Sequence, residues 1–414
     1  MMRATKDSGF EWIGIIPAEW GLSKIGQVYR LRNTKVSDTD YPPLSVTNKG
    51  IVPQLDTAAK TNAHDDRKLV KKGDFAINSR SDRRGSCGIS DYDGSVSLIN
   101  TILAPLNEMN PGYYDWLFHT VQFGDEFYKF GHGIVDDLWT TGWQEMKKIT
   151  IPTPPLPEQQ RIADFLDAKC AEIDALTADI QTQIDTLEQY KRSVITETVT
   201  KGLNPNAEMK DSGIQWIGNM PAHWDVIRGK YILRYMQKPV REDDGVITCF
   251  RDGEVTLRSN RREDGFTMSD KEIGYQGIDV GDLVVHGMDG FAGSIGISDS
   301  RGKASPVLNV LDTDQCKRYI MYYLRSMAYS DVFLALATGI RVRSCDLRWN
   351  KLVELSYPVP PLDEQNAIVK HIDSVLSKAD AVIADKKAQL ATLDEYKKSL
   401  IFEYVTGKKE VPAS

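Results

Sequence analysis

The chain has 414 residues, 26% of them charged and 41% hydrophobic, and a formal net charge of −7. That is long enough for two or three domains with real cores, and no apolar run approaches the roughly 20 residues that cross a bilayer. Met1–Gly21 lacks the apolar core of a secretory signal, and five cysteines stand without CxxC spacing, so the reading is a cytoplasmic protein with reduced thiols and no disulfide or zinc framework.

In chain order, Lys6-Asp7-Ser8-Gly9, Trp12-Ile13-Gly14, Pro17-Ala18 and Trp20 open the first globular segment, residues 1–155. A Trp–Pro–Trp segment reads as an anchoring strap. Gly73-Asp74-Phe75-Ala76-Ile77 leads through a polar loop to Gly85-Ser86-Cys87-Gly88-Ile89, two short Gly-bounded strands. Tyr113–Thr120 reads as an amphipathic helix, and a loop begins at Gly133.

Pro154-Pro155-Leu156-Pro157-Glu158-Gln159 then opens a stretch without further Pro, and without Gly until Gly202. Ile162, Ile173, Ile184 and Ile195 recur every eleven residues, with Leu166, Leu176, Ile180, Leu187 and Val194 between them. Eleven residues make three turns at about 3.67 per turn, so residues 156–202 read as one long helix needing almost no supercoil. Its length, on the order of 60 Å, exceeds what one ordinary domain covers, so the stripe needs another long helix.

That partner arrives 206 residues later, where Pro360-Pro361-Leu362-Asp363-Glu364-Gln365 precedes Ile368, Ala379, Leu390 and Ile401. Leu187 and Tyr190 reappear as Leu393 and Tyr396. The expected helix-pairing residues are Ile162, Ile173, Ile184, Leu187 and Ile195 against Ile368, Leu390, Leu393 and Ile401, antiparallel. Between the helices, residues 203–358 repeat the first globular segment. Trp216-Ile217-Gly218, Pro221-Ala222 and Trp224 repeat the strap, and Gly281-Asp282 and Gly293-Ser294 repeat the two strands. Tyr319–Ser326 repeats the helix. Residues 359–408 form the second spacer and 409–414 a tail. The fold expected is α+β: two tandem domains separated by two long antiparallel coiled-coil helices, pseudo-two-fold symmetric.

No reaction centre is visible. GxxxxGK[ST] and HExxH are missing, and the six histidines are dispersed. The acidity gathers in the first long helix, with 5 Lys+Arg against 9 Asp+Glu in residues 156–202, which leaves the globular segments near neutral. The loops differ most between the copies. Asn78-Ser79-Arg80-Ser81-Asp82-Arg83-Arg84 stands where the second copy has His286-Gly287-Met288-Asp289-Gly290-Phe291-Ala292. Arg258, Arg261 and Arg262 form a second cluster, and Arg341 and Arg343 follow Gly339. Arginine holds phosphate or bonds two-pronged to guanine, and Asn78 and His286 could read base edges. Such residues also serve as solvated turns that bond their own backbone.

Taken in this order, the two Pro-Pro-Leu-x-Glu-Gln openings, the Trp-Ile-Gly-x-x-Pro-Ala-x-Trp straps and the Gly-Asp…Gly-Ser-x-Gly-Ile segments resemble the specificity subunits of type I restriction–modification systems. The resemblance covers essentially the whole chain. It implies two target recognition domains, each reading one half of a gapped DNA site, with the long helices fixing the gap. It implies partners: double-stranded DNA, two modification subunits that methylate adenine N6, and restriction subunits. S-adenosylmethionine, ATP and magnesium would belong to those partners, and this chain would hold no cofactor and no metal and perform no catalysis. The Trp12 and Trp216 segments and the exposed helix faces are candidate docking places. A two-headed protein-interaction scaffold without direct DNA reading is the alternative.

Overall fold

In the computed structural model, residues 3–54, 64–80, 85–133, 139–261, 273–336 and 347–412 are described. The chain folds as α+β in two compact units. The first comprises Met1–Ile180 with Lys387–Ser414, the second Gln181–Lys386. The long helices therefore form no body of their own: each gives one part to each unit.

The first unit is built on a four-stranded antiparallel sheet ordered Cys87–Ile89, Phe75–Asn78, Asn100–Pro105, Tyr29–Leu31. The second repeats it as Ile295–Ile297, Leu283–His286, Leu308–Thr313, Leu233–Met236. The Gly-Asp motif is the turn that starts the second strand of each order. Gly73 and Gly281 take φ of 85° and 87°, a left-handed conformation glycine adopts without strain. The following aspartate closes the turn, accepting from Lys71 N or Asp279 N at 2.9 and 2.8 Å. Each aspartate also holds a basic partner from an edge strand or the loop after it, Arg32 at 3.0 Å from Asp74 and Lys238 at 2.6 Å from Asp282.

Aromatic residues fill the space between the sheet and the helix that follows it. Tyr29, Phe75, Tyr114 and Phe118 pack together in the first unit, with Phe75 and Phe118 ring centroids 4.6 Å apart. In the second unit Tyr319, Tyr323 and Tyr357 do the same. The two straps turn their rings inward. Trp12, Trp20 and Trp224 are buried, and half-buried Trp216 donates to Tyr323 Oη at 3.2 Å. The straps thus pack most of their tryptophan surface inside their own units, while Phe10 and Ile15 of the first strap stay exposed.

The Pro-Pro-Leu-x-Glu-Gln motif starts each long helix. Proline lacks an N–H and its ring presets a helical φ, so it suits the approach to a first turn. Gln159 Nε2 donates to Pro154 O and Gln365 Nε2 to Pro360 O, both at 2.8 Å. The same side chains accept from Asn110 N and Cys316 N at 3.0 and 2.9 Å, tying each long helix to the domain helix beside it. The helices run Leu156–Lys201 and Leu362–Val405. The second starts at Leu362, later than the expected 359, because Ser356–Val359 is a strand paired with Asp225–Arg228.

Within each unit the two helix segments are antiparallel. Lys397 reaches Asp174 at 2.6 Å in the first, and Lys191 reaches Asp380 at 2.6 Å in the second. Ile162, Ile173, Ile184, Ile195, Ile368 and Ile401 are buried, while Leu187, Leu390 and Leu393 are half-buried. Leu176 departs from the expected stripe and is 47% exposed. Three residues on from Ile173, it lies about 60° round the helix from the isoleucine stripe at 100° per residue, and a two-helix seam covers only the middle of such a stripe.

Each helix ends on a glycine with φ near 70°, Gly202 and Gly407. A Cβ on Gly407 would stand 2.4 Å from Pro17, and one on Gly202 3.1 Å from Trp224. The strap of each unit therefore caps the end of a long helix. In each unit a fully buried tyrosine hydroxyl lies beside the last carbonyls: Tyr113 Oη is 2.8 Å from Val405 O, and Tyr319 Oη 3.0 Å from Val199 O.

Candidate nucleic-acid interface

In the second unit a cleft of about 960 Å³ opens between the hairpin Ile247–Cys249/Val255–Leu257 and the end of strand Leu283–His286. It brings together Arg258, Arg261 and His286 from the sequence-level set, with Thr248, Arg251 and Ser294 beside them. The hairpin can lie this close because strand Ile295–Ile297 has glycine at its centre. A Cβ on Gly296 would stand 1.9 Å from Gly253 O in the hairpin turn.

The cations on the cleft are held in place by ring and carboxylate contacts. The Arg261 guanidinium lies 4.1 Å above the Phe250 ring and pairs with Asp252 at 2.6 Å and Glu254 at 2.8 Å. The Asp252 hydrogen bond pushes the arginine further up. Partial burial raises the Asp252 carboxyl, but the hydrogen bonds from Arg261 and Glu254 N and the nearby Arg261 and Arg325 charges together hold it below the usual carboxylate range. Arg251 pairs with Asp289 at 3.1 Å, and Arg258 Nε donates to Thr248 Oγ1 at 3.0 Å. Exposed ion pairs of this kind contribute about 0–1 kcal/mol, so a phosphate can replace a carboxylate at little cost.

In the first unit the equivalent strand end serves a smaller cavity of about 240 Å³. Asn78, Ser79 and Arg80 form one side, and Phe118, Phe123 and Trp139 wall the other. Asn78 is buried, with Oδ1 accepting from Arg80 N at 3.0 Å. Ser79 Oγ lies 2.9 Å from Thr101 Oγ1, and Arg80 is exposed. Leu98 and Ile99, a turn of exposed aliphatic side chains, stand next to them, with Ser79 N donating to Ile99 O.

Arg83, Arg84, Arg262, Arg341 and Arg343 lie outside the described residues. Sequence reading missed Arg251, Thr248 and Ser294. Ser294 belongs to a motif shared by both copies and read as framework; Thr248 and Arg251 carry no signal until the hairpin is folded. Among the described residues no group of three or more His, Cys, Asp or Glu could hold a metal, and no helix is long and apolar enough to cross a membrane. The four described cysteines are free, and burial pushes the Cys87 and Cys249 thiols up, away from nucleophilic use.

Residues 17–186 match the type I restriction modification DNA specificity domain. The MjaVIII type I restriction enzyme specificity subunit of Methanocaldococcus jannaschii is 24% identical over 341 residues, covering 77% of this chain and 76% of the relative. A second relative from that organism, named for the MjaX restriction enzyme, is 26% identical over 281 residues, 64% of this chain; there the match spans 61% of the relative's length. Among solved structures, a chain of a type I restriction–modification system superposes with a TM-score of 0.69 at 15% identity, over 95% of this chain and 99% of that one. The HsdS subunit of Thermoanaerobacter tengcongensis gives 0.52 at 15% identity, over 97% and 100%.

Proposed function

We propose that this chain, which belongs to the family of type I restriction–modification DNA specificity subunits, reads a bipartite DNA sequence, one half with each unit. The observation that carries the reading is one framework with two different surfaces. The same sheet order and the same Gly-Asp turn recur in both units, yet the strand ends at Asn78 and His286 open onto cavities of different size and lining. Duplicated frames with divergent loops suit two readers of two unlike half-sites.

In this reading the long helices set the number of unread base pairs between the halves. The chain also scaffolds two adenine-N6 methyltransferase subunits and the restriction subunits, in the cytoplasm. S-adenosylmethionine, ATP and magnesium act in those partners, and this chain contributes recognition, not catalysis. Paired carboxylates leave its arginines a modest electrostatic grip, so tight binding draws on the partners' basic surface as well.

Exchange of Asn78–Arg84 for a different loop, in the chain complexed with its modification subunits, tests the division of labour. The methylated motif should change in one half only. A motif altered in both halves, or in neither, contradicts it.

A further inference from the structure

His286 and Asn78 occupy equivalent positions, 208 residues apart, at the ends of equivalent strands. Their side chains make the same local contact. His286 Nδ1 accepts from Met288 N at 3.2 Å and Asp289 N at 3.0 Å. Asn78 Oδ1 accepts from Arg80 N at 3.0 Å, again two residues on.

This contact fixes what each side chain has left to offer. An imidazole nitrogen that accepts carries no proton, so the His286 ring is neutral and its proton sits on Nε2. Burial lowers the ring's pKa, the Asp289 carboxylate opposes that and the Arg251 guanidinium adds to it. Nε2 has no hydrogen-bond partner among the described residues, and the residue lines the large cleft. In Asn78 the carbonyl oxygen is engaged by Arg80 N, and Nδ2 makes no hydrogen bond among the described residues, which leaves it as the free donor. Ser294 Oγ is buried on the same cleft without a hydrogen-bond partner among the described residues, a second polar atom awaiting one. Arg251, Arg258 and Arg261 ring this floor.

We propose that positions 78 and 286 are matched reading positions that each offer DNA a hydrogen-bond donor, meeting an acceptor on a base edge (purine N7, guanine O6 or thymine O4) in its own half-site. The inference rests on the DNA-reading function above. The loop backbone takes the one lone pair of His286 Nδ1 and turns Asn78 Oδ1 toward Arg80 N, so each side chain presents its N–H outward, and in the second unit the surrounding arginines hold the phosphates that set the approach.

The test uses the complex of this chain with its modification subunits and maps adenine methylation on a random-sequence plasmid library. His286→Asn keeps both the backbone cap and a donor, and should retain the motif with less than about tenfold loss of rate. His286→Asp keeps the cap but presents an acceptor. It should lower methylation roughly ten- to hundredfold at the cognate site and change one base in the half read by the second unit, with the other half untouched. Asn78→Asp should do the reciprocal. An unchanged motif and rate in His286→Asp overturns the proposal. So does equal loss in His286→Asn and His286→Asp, which marks a structural residue. No gapped motif even for the unaltered chain overturns the DNA-reading function itself, and is told apart by that control.

Discussion

Two eleven-residue blocks added to each long helix should lengthen the gap of the methylated motif by about ten base pairs and leave both halves intact. The blocks are repeats of Ile173–Gln183 in the first helix and of its antiparallel counterpart, residues 388–398, in the second. Eleven residues keep the stripe in phase, since Ile162, Ile173, Ile184 and Ile195 already recur at that interval. Twenty-two residues add roughly 33 Å at 1.5 Å each, close to one turn of duplex at about 3.4 Å per base pair. The second reader then meets the same face of DNA one turn further on. A single block adds only half that, turns the second half-site to the far face, and should cost methylation more than tenfold. Methylation mapping of both variants checks this. An unchanged gap in the two-block variant removes the helices from the role of ruler.

Ile368→Asp should unfold the second unit. Ile368 is fully buried where the second long helix enters its unit, in a core with Tyr319, Tyr357 and Val199. An unpaired carboxylate there adds the cost of desolvating a charge to the lost apolar packing, together more than about 4 kcal/mol. Calorimetry should show the transition of the second unit lost or shifted far down, and methylation should vanish. Leu176→Asp, at a site 47% exposed, should stay within about 0.5 kcal/mol of the parent. Equal effects of the two substitutions contradict the assignment of the seam.

That contrast marks what was legible in the chain. The eleven-residue interval gave the helices because helical periodicity is local, and the duplication gave the number of domains because a repeat is visible without a structure. Leu176 was assigned to the stripe because apolarity in sequence does not say how wide the covered seam is. The roles of Asp74, Asp282, Gln159 and Gln365 could be guessed only as motif. Their partners, Arg32, Lys238, Asn110 and Cys316, lie 42 to 49 residues away and meet them only through the fold.

The candidate interface was legible in part for the same reason. Arg258, Arg261 and His286 were picked on residue type, and the second unit brings them to one cleft. Arg251 joined them unannounced, since a hairpin turn places it there. The polarity of His286 depends on two backbone N–H groups and was beyond any reading of composition.

The central claim is that this chain specifies a two-part DNA sequence. Adenine-methylation mapping across the host genome, with the gene intact and deleted, tests it most directly. A gapped, two-part motif present with the gene and lost without it is the predicted result. A gapped motif that persists after deletion would contradict the account.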